Sequence, residues 1–301
     1  MPVRFQYFSP GMKLLSLFLM MLAAIIFMSF LTGVIGWLVF GNVSFELSQL
    51  TTYPGLVKFI QTLQSLLVFV VPSALAVKLF YPDKVKGLAD TKDMQLTMVL
   101  ASVIIIALGQ MFIGWSGYVN SKVVLPESWS AVMDWIQKTE AEAMELIAVL
   151  TRYDSAAGFF LNIVIIAFIP ALGEEWFFRG HVQKYFTDWF RNAHLAIFVT
   201  AILFSAMHLQ FMTFLPRFFL GLMLGYLFYV GGNLWYSVIG HFTNNLLALI
   251  AMRGKGPEEL VSSMDRFKDP IIYPGVIFSA VSVIAVFFLM KGIKNIWAPS
   301  K

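Results

Sequence analysis

Long apolar runs recur along this chain, separated by short polar stretches. Eight stand out, at about 14–40, 57–81, 94–118, 156–178, 194–214, 216–231, 234–252 and 271–290. An apolar run of about 20 residues crosses a bilayer as a helix, and in lipid a helix satisfies its own backbone hydrogen bonds. The pattern therefore predicts an all-α polytopic transmembrane helical bundle of about eight spans, of which the sixth is short and glycine-rich. One stretch differs in kind. From Glu127 to Leu150, Trp129, Val132, Met133, Ile136, Met144, Ile147 and Leu150 recur at helical spacing, with Asp134, Lys138, Glu142 and Glu145 elsewhere. This predicts an amphipathic helix that lies on the membrane surface or caps the bundle, with a substrate-gating lid as the alternative. The polar stretch 253–270 reads as a connector. One integral domain is expected: 1–155 holds three spans and the amphipathic helix, 156–252 a core of further spans, and 253–301 a loop and the last span.

Composition supports the membrane reading. Of 301 residues, 59% are hydrophobic and 13% charged, and the mean hydropathy is +0.78; a soluble domain carries about 25% charged residues. The absence of cysteine excludes disulfides, thiol nucleophiles and Cys-ligated zinc or iron–sulfur sites. The net charge of +4, without basic runs interleaved with aromatics, points to no nucleic-acid partner. With the N-terminus inside, twelve of the 21 Lys and Arg residues fall on the cytoplasmic side. Both termini are then expected to be cytoplasmic, in a bacterial plasma membrane, and the first run reads as a retained span because no small-residue cleavage site follows it.

Against this apolar background the stretch Gly173-Glu-Glu-Trp-Phe-Phe-Arg179 is costly. It follows an uncharged run from Ala156 to Gly173, so two carboxylates and a guanidinium lie at or within a membrane helix. Such charges face a protein interior or aqueous cavity, pair with one another and mark functional sites. Glu175 and Arg179 are i and i+4, hence neighbours, whereas Glu174 points about 100° away from Glu175. Of the four histidines, His208 and His241 lie inside apolar runs; Phe204 and His208 share a helix face, as do His241 and Asn245. Three helices thus each bring a polar pair to the interior, enough for a base, a water-orienting group and oxyanion donors. Pro170 removes the hydrogen bond to the carbonyl of Ile166 and is expected to kink the helix beside the site. His181 and His194 read as solvated interface residues, and Gln61, Gln64 and Gln110 as helix-packing residues. His208 lies about 20 Å into its run. To meet it, the fourth helix must extend past Arg179 and carry Glu174 to mid-depth, or the fifth must start later or tilt.

Three motifs in this order, Glu174-Glu175-x-x-x-Arg179, Phe204-x-x-x-His208 and His241-x-x-x-Asn245, resemble those of the CAAX-protease and bacteriocin-processing (CPBP, or Abi) intramembrane proteases, which include type II CAAX prenyl endopeptidases. The resemblance covers 156–252 and implies an intramembrane endopeptidase. In it, Glu174 acts as general base with His208, Glu175 and Arg179 support the base, and His241 with Asn245 stabilises the oxyanion. It implies no covalent intermediate and a substrate that is a membrane protein, a leader peptide or a prenylated peptide. The family is often labelled metalloprotease. No cofactor is required in the metal-free glutamate mechanism preferred here; zinc, if used, would be held by Glu174, His208 and His241. Two alternatives stand beside this reading. Gly114-Trp115-Ser116-Gly117 fits a Gly-x-Ser-Gly pattern resembling that of rhomboid serine proteases, although such patterns arise from helix packing. A non-proteolytic scaffold or transporter could use the same acid–His cluster.

Overall fold

The computed structural model describes residues 5–42, 47–81, 94–253 and 264–297. Lys255, Pro257, Glu258 and Glu259 of the expected connector lie outside these. In chain order the main helices are α1 (Pro10–Phe40), α2 (Pro54–Phe80), α3 (Leu96–Ser121), α4 (Ser130–Thr151), α5 (Ala156–Phe190), α6 (Ala193–Ala206), α7 (Phe214–Gly231), α8 (Leu234–Ala251) and α9 (Tyr273–Trp297). The fold is an all-helical polytopic bundle. Among the described residues six stretches are long and apolar enough to cross a membrane: α1, α2, α3, α5, Phe211–Gly231 containing α7, and Pro270–Gly292 containing most of α9. The two other expected spans differ for physical reasons. At 14 residues α6 is about 21 Å long, and α8 is diluted by His241, Thr243, Asn244 and Asn245. Leu19, Leu22, Ile26 and Phe30 of α1 and Ile277, Phe278, Val281 and Phe288 of α9 are exposed, as lipid-facing residues of an integral membrane protein are.

The principal correction concerns α5, which runs well past the expected end at 178. Hydropathy drops after Phe178 because Arg179, His181, Gln183 and Lys184 follow, but Arg179, His181 and Gln183 find partners inside the bundle and the helix continues. It ends where Arg191 takes a left-handed conformation (φ 55°) and Asn192 starts α6 by accepting bonds from the N–H groups of His194 and Leu195 at 3.0 and 3.1 Å. The α7–α8 reversal uses the same device: Gly232 has φ 75°, a region open to glycine, and the Asn233 side chain accepts from Trp235 N–H at 2.9 Å. Both hairpins therefore turn on one side of the bundle.

Wide π-type turns interrupt α2 at Leu66–Val70 and α5 at Ile163–Phe168 and Phe178–Gln183. The first two directly precede Pro72 and Pro170. A proline has no N–H and its ring clashes with the carbonyl four residues back. Widening the turn that holds that carbonyl, Val68 or Ile166, accommodates the ring without breaking the helix. This is the form that the expected distortion at Pro170 takes.

Two apolar cores flank the polar centre. One joins α1, α2, α5 and α6 through Leu14, Leu17, Val68, Phe80, Phe177 and Phe204. The other joins α3, α7, α8 and α9 through Ile105, Ile106, Leu224, Leu227, Tyr236 and Val283. The helices α6 and α7 approach closely because Gly221 and Gly225, one turn apart, face α6. A Cβ on Gly221 would lie 3.1 Å from Ala201 Cα, and one on Gly225 would lie 2.8 Å from Ile197 Cγ2. Gly221→Val is expected to destabilise the protein by about 1–3 kcal/mol, since backbone cannot yield as a side chain can; unfolding of the purified protein in detergent measures this. The amphipathic stretch is α4, preceded by a short turn at Glu127–Trp129. It covers one end of the bundle. Leu146, Val149 and Leu150 pack on Leu50, Val57 and Ile60, and Trp135 lies 5.8 Å from Phe211, whereas Trp129 and Val132 point outward.

Candidate active site

Glu175 and Arg179 on α5 are both fully buried. Arg179 Nη1 donates to Glu175 Oε1 at 2.8 Å, the i,i+4 pairing expected from spacing, and Nη2 donates to Gly221 O at 2.9 Å. One turn on, Gln183 Nε2 donates to Gly225 O at 3.1 Å. The two glycines thus serve twice, bringing α6 close and leaving α7 carbonyls open to donors from α5. The guanidinium also lies over the Phe204 ring, 4.8 Å from its centroid. Burying an ion pair costs several kcal/mol per ion unless the remaining donors and acceptors are met, and these contacts meet them in part.

His241 on α8 makes a contact not evident from spacing. Its Nδ1 lies 2.9 Å from Glu175 Oε1. An ionised carboxylate only accepts, so Nδ1 carries the hydrogen and donates. Glu175 Oε1 therefore accepts from Arg179 and His241 together, and the imidazole is oriented with Nε2 as its remaining nitrogen. Asn245, one turn along α8, donates to Ala167 O of α5 at 3.5 Å and accepts from Asn244 at 3.3 Å; Gln110 of α3 donates to Asn244 at 3.3 Å, a packing role as expected.

His208 stands in the turn after α6. Its Nδ1 donates to Phe204 O at 2.8 Å, so the neutral ring presents the Nε2 lone pair, 3.9 Å from Glu174 Oε2. Glu174 Oε2 makes no hydrogen bond within the protein. The side chains of Glu174 and His208 are 12% and 30% exposed against zero for Glu175, although Glu174 Oε2 itself is covered, so this pair lies nearer the surface than the sealed Glu175. The two meet because α5 continues to Phe190. From the α5–α6 turn, Glu174 and His208 each lie about 20–25 Å along their helices. Of the two arrangements open from sequence, the extended fourth helix is the one adopted.

Phe204 is the buried post of this centre. Its ring meets those of His208, His241 and Phe178 at 5.2, 5.7 and 5.2 Å. Motif spacing marked Phe204 without indicating this role.

Other positions fall away from the centre. Ser116 is buried and its hydroxyl donates to Ile113 O at 2.6 Å, a packing contact within α3. His181 corrects the expectation of a solvated residue: it is 2% exposed, with Nδ1 3.1 Å from the Tyr185 hydroxyl. His194 is exposed, as expected, beside the Tyr226 hydroxyl. Among the described residues no three His, Asp or Glu side chains gather as a metal site. His241 Nδ1 is turned to Glu175 and His208 Nδ1 to a carbonyl, which leaves Nε2 as the remaining nitrogen of each ring. Arg217 was not singled out from sequence. The available signal was a lone charge near the start of an otherwise apolar run.

Residues 156–247 match the family model described as Rce1-like, type II CAAX prenyl endopeptidase. No curated protein and no solved structure matches. The matched segment is about a third of the chain and contains Glu174, Glu175, Arg179, His208, His241 and Asn245. The resemblance to the CPBP and CAAX proteases stands over that segment. Over that segment the chain is similar to the type II CAAX prenyl endopeptidases.

Proposed function

We propose that this protein is an intramembrane endopeptidase in which Glu174 and His208 hold one water between them and remove its proton as it attacks the scissile carbonyl. The observation that carries this reading is the 3.9 Å approach of His208 Nε2 to Glu174 Oε2, two acceptors from separate parts of the chain. A water at hydrogen-bond distance from both sees them at roughly a right angle, close to the angle between its own O–H bonds. Both hydrogens are then engaged and a lone pair faces outward. Glu174 takes the proton and later returns it to the leaving amine, without a covalent intermediate.

Glu175 and Arg179 act as positioning residues. With Nδ1 donating to Glu175, His241 can offer a donor at Nε2 only as the imidazolium; it and Asn245 would face the developing oxyanion. No step is routed through a metal. The family description favours a prenylated peptide, with leader peptides and other membrane proteins as alternatives.

The test is cleavage of fluorogenic membrane peptides, prenylated and not, by purified full-length protein with and without a zinc chelator. The expected result is cleavage that is indifferent to chelator and retained within a few-fold in Ser116→Ala. Loss of cleavage on chelation, restored by zinc, would overturn the metal-free mechanism. Loss in Ser116→Ala with folding intact would point to serine chemistry. Folded wild-type protein that cleaves none of the panel would favour the scaffold reading.

A further inference from the structure

Beside the water-activating pair, on the side covered by α4, lies a cation that the proposed mechanism leaves unused. Arg217, in the first turn of α7, is half-buried. Its guanidinium donates to the Gln210 side chain, to the Thr213 hydroxyl and, at 3.4 Å, to Gln210 O, all neutral acceptors. Among the described residues no carboxylate lies at ion-pair distance from it. Its charge is nevertheless felt by two carboxylates, Glu174 in the site and Glu140 on α4. The support is firm: Asn120 of α3 donates to Phe211 O at 2.8 Å and accepts from Leu215 N–H at 2.7 Å, and the Ser205 hydroxyl donates to Phe214 O at 2.6 Å.

Glu140 lies beside Thr213 and Met212, and its Oε2 is buried without a hydrogen-bond partner among the described residues. Burial pushes the Glu140 carboxyl above the usual carboxylate range, and the Arg217 charge draws it back. A buried guanidinium held by neutral groups and facing a poorly satisfied carboxylate is a site disposed to accept a better carboxylate, because the planar fork matches that group in a bidentate way.

We propose that Arg217 is a substrate-binding residue that takes a carboxylate of the peptide next to the scissile bond, and that Glu140 of α4 is its stand-in while no substrate is bound. This rests on the endopeptidase reading above. A free C-terminal carboxylate one to three residues beyond the cleaved bond lies within about 3–10 Å of it. An acidic side chain at the same distance offers the same chemistry.

The experiment compares one cleavable membrane peptide in three forms, C-terminal acid, C-terminal amide, and amide with an aspartate beyond the cleaved bond, using full-length wild-type, Arg217→Gln, Arg217→Lys and Glu140→Gln proteins. Wild type is expected to cleave the acid with a kcat/KM about 10- to 100-fold above the amide, the range of a charged hydrogen bond. Arg217→Gln should raise KM for the acid until acid and amide are equal, the acid losing far more than the amide, and Arg217→Lys should recover part of the preference. Glu140→Gln should lower KM for the acid alone. Recovery of the preference by the aspartate form would identify any nearby carboxylate as the ligand; failure to recover it would restrict the ligand to the chain terminus. Equal wild-type rates on acid and amide, or an Arg217→Gln protein slowed equally on both, would overturn the proposal and leave Arg217 as a clamp on the 210–213 turn. A wild type that cleaves none of the three would overturn the endopeptidase reading itself.

Discussion

Glu174→Gln is expected to lower the peptide cleavage rate by about 10²–10⁴-fold, the usual contribution of a positioned general base. Glutamine keeps the size and one carbonyl oxygen of the glutamate but cannot take a proton. Folding should survive, because Glu174 Oε2 makes no hydrogen bond among the described residues and a neutral amide is less costly to bury than a carboxylate. Initial rates of the purified variant, beside thermal unfolding of variant and wild type, separate chemistry from stability. The loss should appear in kcat, since the base acts in the transition state and not in substrate binding. A variant that retains the wild-type rate within a few-fold would remove Glu174 as the base, whatever the motif implies.

The second large effect is on stability. Arg179→Met should destabilise the protein by about 3–5 kcal/mol, because it leaves the Glu175 carboxylate fully buried with only His241 as a partner. It also removes the bond to Gly221 O that joins α5 to α7. Adding Glu175→Gln to the same chain should recover part of the loss, since an unpaired neutral amide is less costly to bury than an unpaired charge. Detergent-phase unfolding of the two single variants and the double variant forms the cycle that reads this coupling. Losses that simply add would show that the buried pair is not a unit. The two variants are thus expected to separate two duties, activity at Glu174 and stability at Glu175, one position on.

Much of this was legible in the chain because the informative signals are local. Apolar runs mark helices wherever lipid is the solvent, and the amphipathic period of 127–150 marks the helix that does not span. Charges within apolar runs identify Glu174, Glu175, Arg179, His208 and His241 as costly and therefore interior, and i,i+4 spacing is enough to pair Arg179 with Glu175 and to leave Glu174 apart. Proline chemistry likewise located the distortion near Ile166, though not its form as a widened turn. Where local signals misled, the cause was a tertiary partner. Past Phe178 the sequence turns polar and the expected helix stops, yet α5 continues because Gly221 and Gly225 of α7 supply carbonyl acceptors to Arg179 and Gln183. His181 looked solvated beside charged neighbours, but Tyr185, one turn along, meets its ring within the core.

By itself, then, the sequence determined the helical membrane class, the positions of the chemistry-bearing side chains and which of them share a helix face. All of these follow from hydropathy and from periodicity within a few turns. Only the tertiary structure decided which face meets which: that His241 turns to Glu175, that His208 meets Glu174 at a common depth, and that Arg217 stands between the site and α4. Those contacts join α5 to residues some thirty to sixty-six positions away. They depend on helix length, on close approach at glycines and on where two reversals place neighbouring helices, none of which is written in any short window of the chain.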